Sequence, residues 1–260
     1  MRLLLTNDDG IDSIFLHELV HALRRGGHEL AVVAPATEQS WIGAAKSRHR
    51  SVHACAADRG LGCPTWIVDG TPSDCVNIGL AHLLPRTFQS EAVVSGINMG
   101  LNASLGFILA SGTISGAWEG AVHGLPAIAF SQDLSAERFD RLKAAHNQPD
   151  AELHAFLRDS AARAAVLTPE LLRDTPPRQF LVHNVNLPLP CRADTPVRRT
   201  VPARVIVQGL FGPAADDGTH RFVFNLGEDT SPSELLTDRA ALQAGEISHT
   251  VLDYTKLGAF

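Results

Sequence analysis

Five short runs of unbroken apolar residues, separated by stretches of helical spacing, constrain this chain more than any other feature. The first, residues 2–6, ends in Asn7-Asp8-Asp9-Gly10. A run this short, closed by turn residues, reads as a buried strand. Phe15, Leu16, Leu19, Val20 and Leu23 then recur at helical spacing, and Gly26-Gly27 stops the helix. Residues 30–34 form a second run, ended by Pro35, and residues 65–68 a third, closed by Asp69-Gly70. Thr71-Pro72-Ser73-Asp74 carries the marks of a helix start: a Thr cap, Pro at the first position and an acid three residues after the cap. Residues 92–94 are the fourth run, leading into Ser95-Gly96-Ile97-Asn98. Ser111-Gly112-Thr113 opens a helix that Gly124 ends, and residues 127–130 are the fifth run. Strands alternating with helices predict an α/β fold, a mostly parallel sheet covered on both faces. Ligands bind such sheets outside the carboxyl ends of the strands, where the strand order switches direction. Asn7-Asp8-Asp9, the Ser40 loop and Asn98 all follow strands at that end.

The second half is less regular. Residues 131–150 are polar and read as an excursion; a helix is expected over 151–167 and a strand over 180–186. From about 191 to 235, Pro, Gly and Asp are frequent and runs such as Val205-Ile206-Val207 imply hairpins projecting from the core. The 260 residues suit one α/β core with a smaller appendage. A net charge of −6 without a basic block argues against a DNA or RNA polymer as partner. No stretch reaches the roughly 20 apolar residues of a membrane span, and the acidic residues that follow the first strand do not suit a signal peptide, so a cytoplasmic protein is expected. Cys55, Cys63, Cys75 and Cys191 include no C-x-x-C pair and are expected as free thiols.

Adjacent carboxylates at Asp8 and Asp9 repel, and each raises the other's pKa unless a cation lies between them. A divalent metal is the simple remedy; an Asx turn or a helix cap is the other reading of the same residues. The carbonyl of Asn98 is a hard neutral ligand suited to Mg²⁺ or Mn²⁺, or part of an Asn-x-Gly turn. Ser40 offers a hydroxyl, and the helix start at Ser111, Gly112 and Thr113 offers N–H groups to a phosphate or serves as an ordinary cap. His17-Glu18-Leu19-Val20-His21 matches the H-E-x-x-H zinc-protease pattern, but the apolar stripe of its helix should leave these three residues on the solvated face. The chain has no G-x-S-x-G elbow, no P-loop and no strand-borne G-x-G-x-x-G.

Taken together, Asn7-Asp8-Asp9-Gly10, Ala34-Pro35…Ser40, Gly70-Thr71-Pro72-Ser73-Asp74, Ser95-Gly96-Ile97-Asn98…Asn102, Ser111-Gly112-Thr113 and Asn184-Val185-Asn186-Leu187-Pro188 resemble the SurE family of 5′/3′-nucleotidases. Thr237-Asp238…Ala241…Gly245…Ser248…Thr250…Leu252 extends the resemblance towards the end of the chain. The resemblance implies a Rossmann-like catalytic core over 1–190, and a hairpin or oligomerisation region with a C-terminal arm over 191–260. It also implies homodimers or homotetramers and one divalent metal ion per subunit, Mg²⁺ or Mn²⁺, on Asp8, Asp9, Ser40 and Asn98. The implied activity is hydrolysis of nucleoside 5′- and 3′-monophosphates, with some action on short polyphosphate. On this reading Asp8 and Asp9 are catalytic together with Asn102, and Ser111, Gly112 and Thr113 bind phosphate. A catalytically weak nucleotide-binding or regulatory module on the same fold is the alternative. The chain departs from the family's pattern at Ala36, where Asp is usual, at Ala110, where Tyr is usual, and at Trp41, where Gly is usual. Trp41 offers an apolar face on which a base can stack at the pocket rim; the other readings of the same bulk are that it blocks the pocket or packs into the protein.

Overall fold

The computed structural model describes residues 1–258. Its centre is a nine-stranded sheet. The elements run β1 (Arg2–Thr6), α1 (Ile14–Arg25), β2 (Glu29–Pro35), β3 (Ala54–Ala56), β4 (Thr65–Val68), α2 (Pro72–Ile78), β5 (Ala92–Met99), α3 (Leu105–Ala110), α4 (Gly112–Val122), β6 (Ala127–Gln132), α5 (Ala136–Ala144), α6 (Ala151–Arg173) and β7 (Leu181–Leu187). There follow β8 (Val197–Arg199), β9 (Val205–Ile206), β10 (Glu228–Asp229), α7 (Asp238–Gln243) and β11 (Ile247–Asp253). The sheet order is β3-β4-β2-β1-β5-β6-β7-β11-β8. From β4 to β7 every pairing is parallel; β3 and β11 are antiparallel to β4 and β7.

Both faces are apolar, which is why the strand sequences are unbroken apolar runs. On β1, Leu3 and Leu5 pack with α1 and α6 residues such as Leu16, Leu19, Leu157 and Ala161. Leu4, between them, joins the opposite cluster with Val76 of α2 and Ile114, Ala117 and Ala121 of α4. Alternate side chains of a strand point to opposite faces, and each fully buried Leu contributes roughly 1.5–3 kcal/mol. The predicted start of α2 is a complete capping box: the Thr71 hydroxyl accepts from the Asp74 N–H (3.2 Å), and the Asp74 carboxylate accepts from the Thr71 N–H (3.0 Å).

Strand order reverses around β1. The chain moves outward to β2 and β4 on one side, then returns to β5 and continues to β6 and β7 on the other. The carboxyl ends of β1 and β5 therefore flank the switch point.

Several elements differ from expectation. The excursion over 131–150 contains α5. Helix α6 runs past residue 167 to Arg173 with Pro169 inside it, because Leu167 and Leu172 are both buried in the core on either side of the proline. Strand β5 extends through Asn98 to Met99. Strand β11, from the expected C-terminal arm, lies inside the main sheet between β7 and β8; residues 259 and 260 of that arm lie outside the described residues. Glu18 is buried rather than solvated, because α6 packs over that side of α1 and brings His154 Nε2 within 2.8 Å of its carboxylate. His17 Nε2 lies 2.8 Å from the Ile11 carbonyl, so His17 and Glu18 of the H-E-x-x-H pattern are engaged in contacts within the protein.

Candidate active site

The turn after β1 is pinned from three sides. Asn7 Nδ2 donates to the Gly10 carbonyl (2.8 Å), the Ile11 N–H donates to the Pro35 carbonyl (2.8 Å), and the Gln39 N–H donates to the Asp8 carbonyl (2.7 Å). Gly10 has φ +92°, a conformation that favours glycine. The loop after β2 is thereby fixed against the Asp-Asp turn.

Asp8 is 3% exposed. Its Oδ1 accepts from the Thr113 hydroxyl at 2.5 Å, in the first turn of α4. A Cβ on Gly112 would lie 2.8 Å from Asp8 Cβ and 2.9 Å from its Oδ2, so only glycine lets the helix N-terminus approach this closely. Asp9 Oδ2 accepts from the Met99 N–H at 2.8 Å, which ties it to the end of β5. Asn98 donates through Nδ2 to the Gly100 carbonyl (2.6 Å), which leaves its carbonyl oxygen as the acceptor of that side chain. The Ser40 hydroxyl donates to Glu38 Oε1 (2.8 Å), and Glu38 Oε2 meets Lys143 Nζ of α5 at 2.8 Å.

Burial pushes the Asp8 carboxyl up to about 6, against the hydrogen bond from Thr113. Burial, and then the charge of Asp8, push Asp9 well above the usual carboxylate range. Burial also acts on Glu38, but hydrogen bonds from Lys143 and Ser40 outweigh it and hold Glu38 below its ordinary value.

Among the described residues, neither Asp8 nor Asp9 has a Lys, Arg or His within ion-pairing distance. Nor do the described residues hold a cluster of three His, Cys, Asp or Glu side chains suited to a metal. Ser40 and Asn98 are each one residue from a backbone N–H bonded to the pair, Gln39 to Asp8 and Met99 to Asp9; two carboxylates with a hydroxyl and an amide oxygen make a hard-oxygen donor set, which fits Mg²⁺ or Mn²⁺ rather than a thiolate- or imidazole-seeking ion.

Of the other expected site residues, Gly112 and Thr113 lie against Asp8. The Ser111 hydroxyl caps α4 by accepting from the Ile114 N–H (3.1 Å), and the Thr113 hydroxyl is spent on Asp8. The helix start thus offers its backbone rather than its hydroxyls. Asn102 is 6% exposed and held from three directions. Its N–H donates to Asn186 Oδ1 (2.7 Å), its carbonyl accepts from Asn184 Nδ2 (2.9 Å), and its Nδ2 donates to the Ser131 hydroxyl (2.8 Å). Asn184 and Asn186 reach it together because residues two apart on a strand share a face. Sequence reasoning did not assign roles to Glu38, Lys143, Asn184 or Asn186; the Asn-x-Asn spacing on β7 was the available signal for the last two. No helix among the described residues is long and apolar enough to cross a membrane, and no disulfide joins the four cysteines.

The chain is similar to several known proteins. The family model described as "Survival protein SurE" matches residues 3–208. A protein named 5′-nucleotidase SurE from Geotalea daltonii is 39% identical over 209 residues, which cover 80% of this chain and 72% of that protein. Its namesake from Desulforudis audaxviator is 45% identical over 134 residues, half of each chain, and the Nostoc protein of that name is 36% identical over 190 residues, 72% of this chain and 64% of that one. The present chain thus spans about half to two thirds of the length of the last two relatives. The crystal structure of SurE protein from Aquifex aeolicus superposes with a TM-score of 0.73 at 27% identity, covering 100% of this chain and 98% of that one.

Proposed function

We propose that this chain, which belongs to the SurE family, is a metal-dependent phosphomonoesterase that hydrolyses nucleoside 5′- and 3′-monophosphates, with short polyphosphate as a side substrate. The observation that carries the proposal is the Asp8–Asp9 pair: two carboxylates without a basic partner, at the switch point of the sheet, with the N-terminus of α4 against one of them. The relatives named 5′-nucleotidase SurE support the same reading.

Asp8, Asp9, Ser40 and Asn98 would hold one Mg²⁺ or Mn²⁺ per subunit. Such an ion supplies positive charge against the phosphoryl oxygens and lowers the barrier to attack at phosphorus. The chain's own residues supply orientation. Thr113 fixes one oxygen of Asp8 and Met99 fixes one of Asp9, so each carboxylate meets the site in one orientation. Asp8 serves as the base or nucleophile. Asn102, whose amide group retains one N–H beyond the bond to Ser131, and the Gly112 N–H at the α4 start hold phosphate oxygens as charge develops on them. The protein is proposed to work in the cytoplasm as a homodimer or homotetramer.

Turnover of a panel of nucleoside 5′- and 3′-monophosphates by chelated protein, with and without added Mn²⁺, tests the proposal. Phosphate release that requires the metal is expected. Tight nucleotide binding without turnover in any divalent ion would contradict it and leave a nucleotide-binding module.

A further inference from the structure

Four aromatic rings from three distant segments meet in one cluster, and one of them stands on the loop whose Gln39 N–H is bonded to the Asp8 carbonyl. Trp41 comes from the loop after β2, Phe107 from α3, and Phe222 and Phe224 from the hairpin that rises from the β9–β10 pair. The Trp41 ring packs edge-on against Phe107 (centroids 5.5 Å apart, 85° between planes) and Phe222 (5.1 Å, 60°), with Phe224 at 6.4 Å. Phe107 and Phe224 stack at 5.7 Å and 26°. Phe222 and Phe224 reach the same cluster because they are two residues apart on an extended arm, held by the Gly212–Arg221 and Val223–Leu210 backbone hydrogen bonds.

The cluster is not core. Phe107 is buried, but Trp41 is 41%, Phe222 46% and Phe224 56% exposed. Burial therefore does not account for the placement of Trp41, and its backbone is unusual as well. Trp41 has φ +62°, a region that bulky residues rarely occupy. Both flanks of the loop are bonded to the site: the Gln39 N–H donates to the Asp8 carbonyl, and the Gly43 N–H donates to the Ala110 carbonyl (2.9 Å) next to the α4 cap. Trp41 is two residues from each anchor. At about 3.5 Å per residue its Cα lies within roughly 7 Å of the Cα of Gln39, the residue whose N–H is bonded to the Asp8 carbonyl.

We infer that Trp41, Phe107, Phe222 and Phe224 form a base-stacking platform, on which a nucleotide rests its base while its phosphate lies at Asp8 and Asp9. This rests on the phosphomonoesterase reading for the phosphate end, but the stack itself does not require turnover. The rings offer faces and edges rather than hydrogen-bonding groups, so recognition follows ring size: purines bind better than pyrimidines, and no single purine is strongly preferred. Trp41 and the hairpin phenylalanines are specificity-determining residues; they take no part in phosphoryl transfer.

The test combines kinetics and fluorescence. AMP and ribose 5-phosphate share a 5′-phosphorylated ribose and differ by the base. In Trp41→Gly and in Phe224→Ala, the ratio of kcat/KM for AMP to that for ribose 5-phosphate should fall about tenfold, mostly through KM, as expected for the loss of one base–aromatic stack. Glycine suits φ +62°, and Phe224 is exposed, so both variants should keep the wild-type Tm. Independently, adenosine added to the chelated wild-type protein should quench tryptophan fluorescence, ribose 5-phosphate should not, and Trp41→Gly should abolish the quench. Failure of the wild type to hydrolyse either phosphoester would refute the phosphomonoesterase reading alone, and the adenosine quench would then decide the platform. An unchanged AMP to ribose 5-phosphate ratio in both variants, a parallel loss on both substrates, or no adenosine quench in the wild type would overturn the inference. So would a change of oligomeric mass in Phe224→Ala with the ratio unchanged, because the rings would then serve contact between copies.

Discussion

Helix α4 touches a buried acid near each end, Asp8 and Glu119, and the two sites are built in opposite ways. At its N-terminal end, Asp8 and Asp9 have hydrogen-bond donors but no cation. About 10 Å further along the helix axis, Glu119 is 1% exposed and fully partnered: Lys46 Nζ at 2.6 Å, Asn77 Nδ2 at 2.9 Å and His123 Nε2 at 3.6 Å. The helix dipole explains part of the contrast. An anion near the N-terminus is favoured, whereas one near the C-terminus needs an external positive charge. Lys46 supplies that charge and also ties the loop beyond Ser40 to α4. The dipole is too small to stabilise a buried carboxylate with a second, half-buried one beside it, however. Glu119 is a structural ion pair. Asp8 and Asp9 are a charge imbalance that the fold tolerates, as a cation-binding site requires.

The sharpest way to break this comparison is to remove a carboxylate from each side. Asp8→Asn or Asp9→Asn should lower kcat on nucleoside monophosphates by on the order of 10³-fold. The Tm of the metal-free protein should stay level or rise, since an uncompensated charge is gone. Glu119→Ala should do the reverse. It should cost about 2 kcal/mol in denaturant unfolding, less than a fully buried pair would lose because the Lys46 side chain is 49% exposed, and should leave most of kcat. A large stability loss in Asp9→Asn would erase the distinction.

A gentler probe moves Asp8 without removing it. In Gly112→Ala the added methyl would press on the Asp8 side chain at less than 3 Å. About a tenfold drop in kcat is expected, with a small change in Tm. The smallest expected effect sharpens the comparison with a third cluster, which is polar and buried but neutral. His183 Nδ1 lies 2.8 Å from His249 Nε2, and His183 Nε2 lies 2.7 Å from the Thr175 hydroxyl. Burial, with Arg199 nearby, holds His183 down at about 4; burial, then His183 and Arg199, hold His249 at about 4. Both folded values lie below the unfolded value of 6.5, so the folded protein binds fewer protons between them. The stability this contributes is fully present above pH 6.5 and is lost as pH falls through 4. Tm should drop by a few degrees between pH 7 and pH 4.5, and less in His249→Gln.

Where the apolar pattern is local and two-sided, the fold was legible. Strands β1 and β4 and the capping box at Thr71 lie where the residues place them, and the Asp8–Asp9 turn lies at the switch point those strands define. What depends on contacts across the chain was not legible. Ser95-Gly96-Ile97-Asn98 reads as a turn, yet Gly96 is there because a Cβ would collide with the Phe130 carbonyl of the neighbouring strand, and the strand runs on. Helix α5 is polar overall and packs only Leu142 and, half-buried, Phe139 on the core, so two apolar residues in a polar stretch read as an excursion. The buried side of α1 at Glu18 depends on a helix more than 130 residues away. The ring cluster at Trp41 joins residues 41, 107, 222 and 224, and no local pattern announces that meeting.

The most direct test of the central claim is a calorimetric titration of chelated protein with Mn²⁺, repeated on Asp8→Asn, Asp9→Asn and Glu119→Gln. The account predicts one site per chain in the wild type and in Glu119→Gln, with affinity lost or reduced at least tenfold in either aspartate variant. Wild-type affinity in both aspartate variants, or no binding to the wild type, would contradict it.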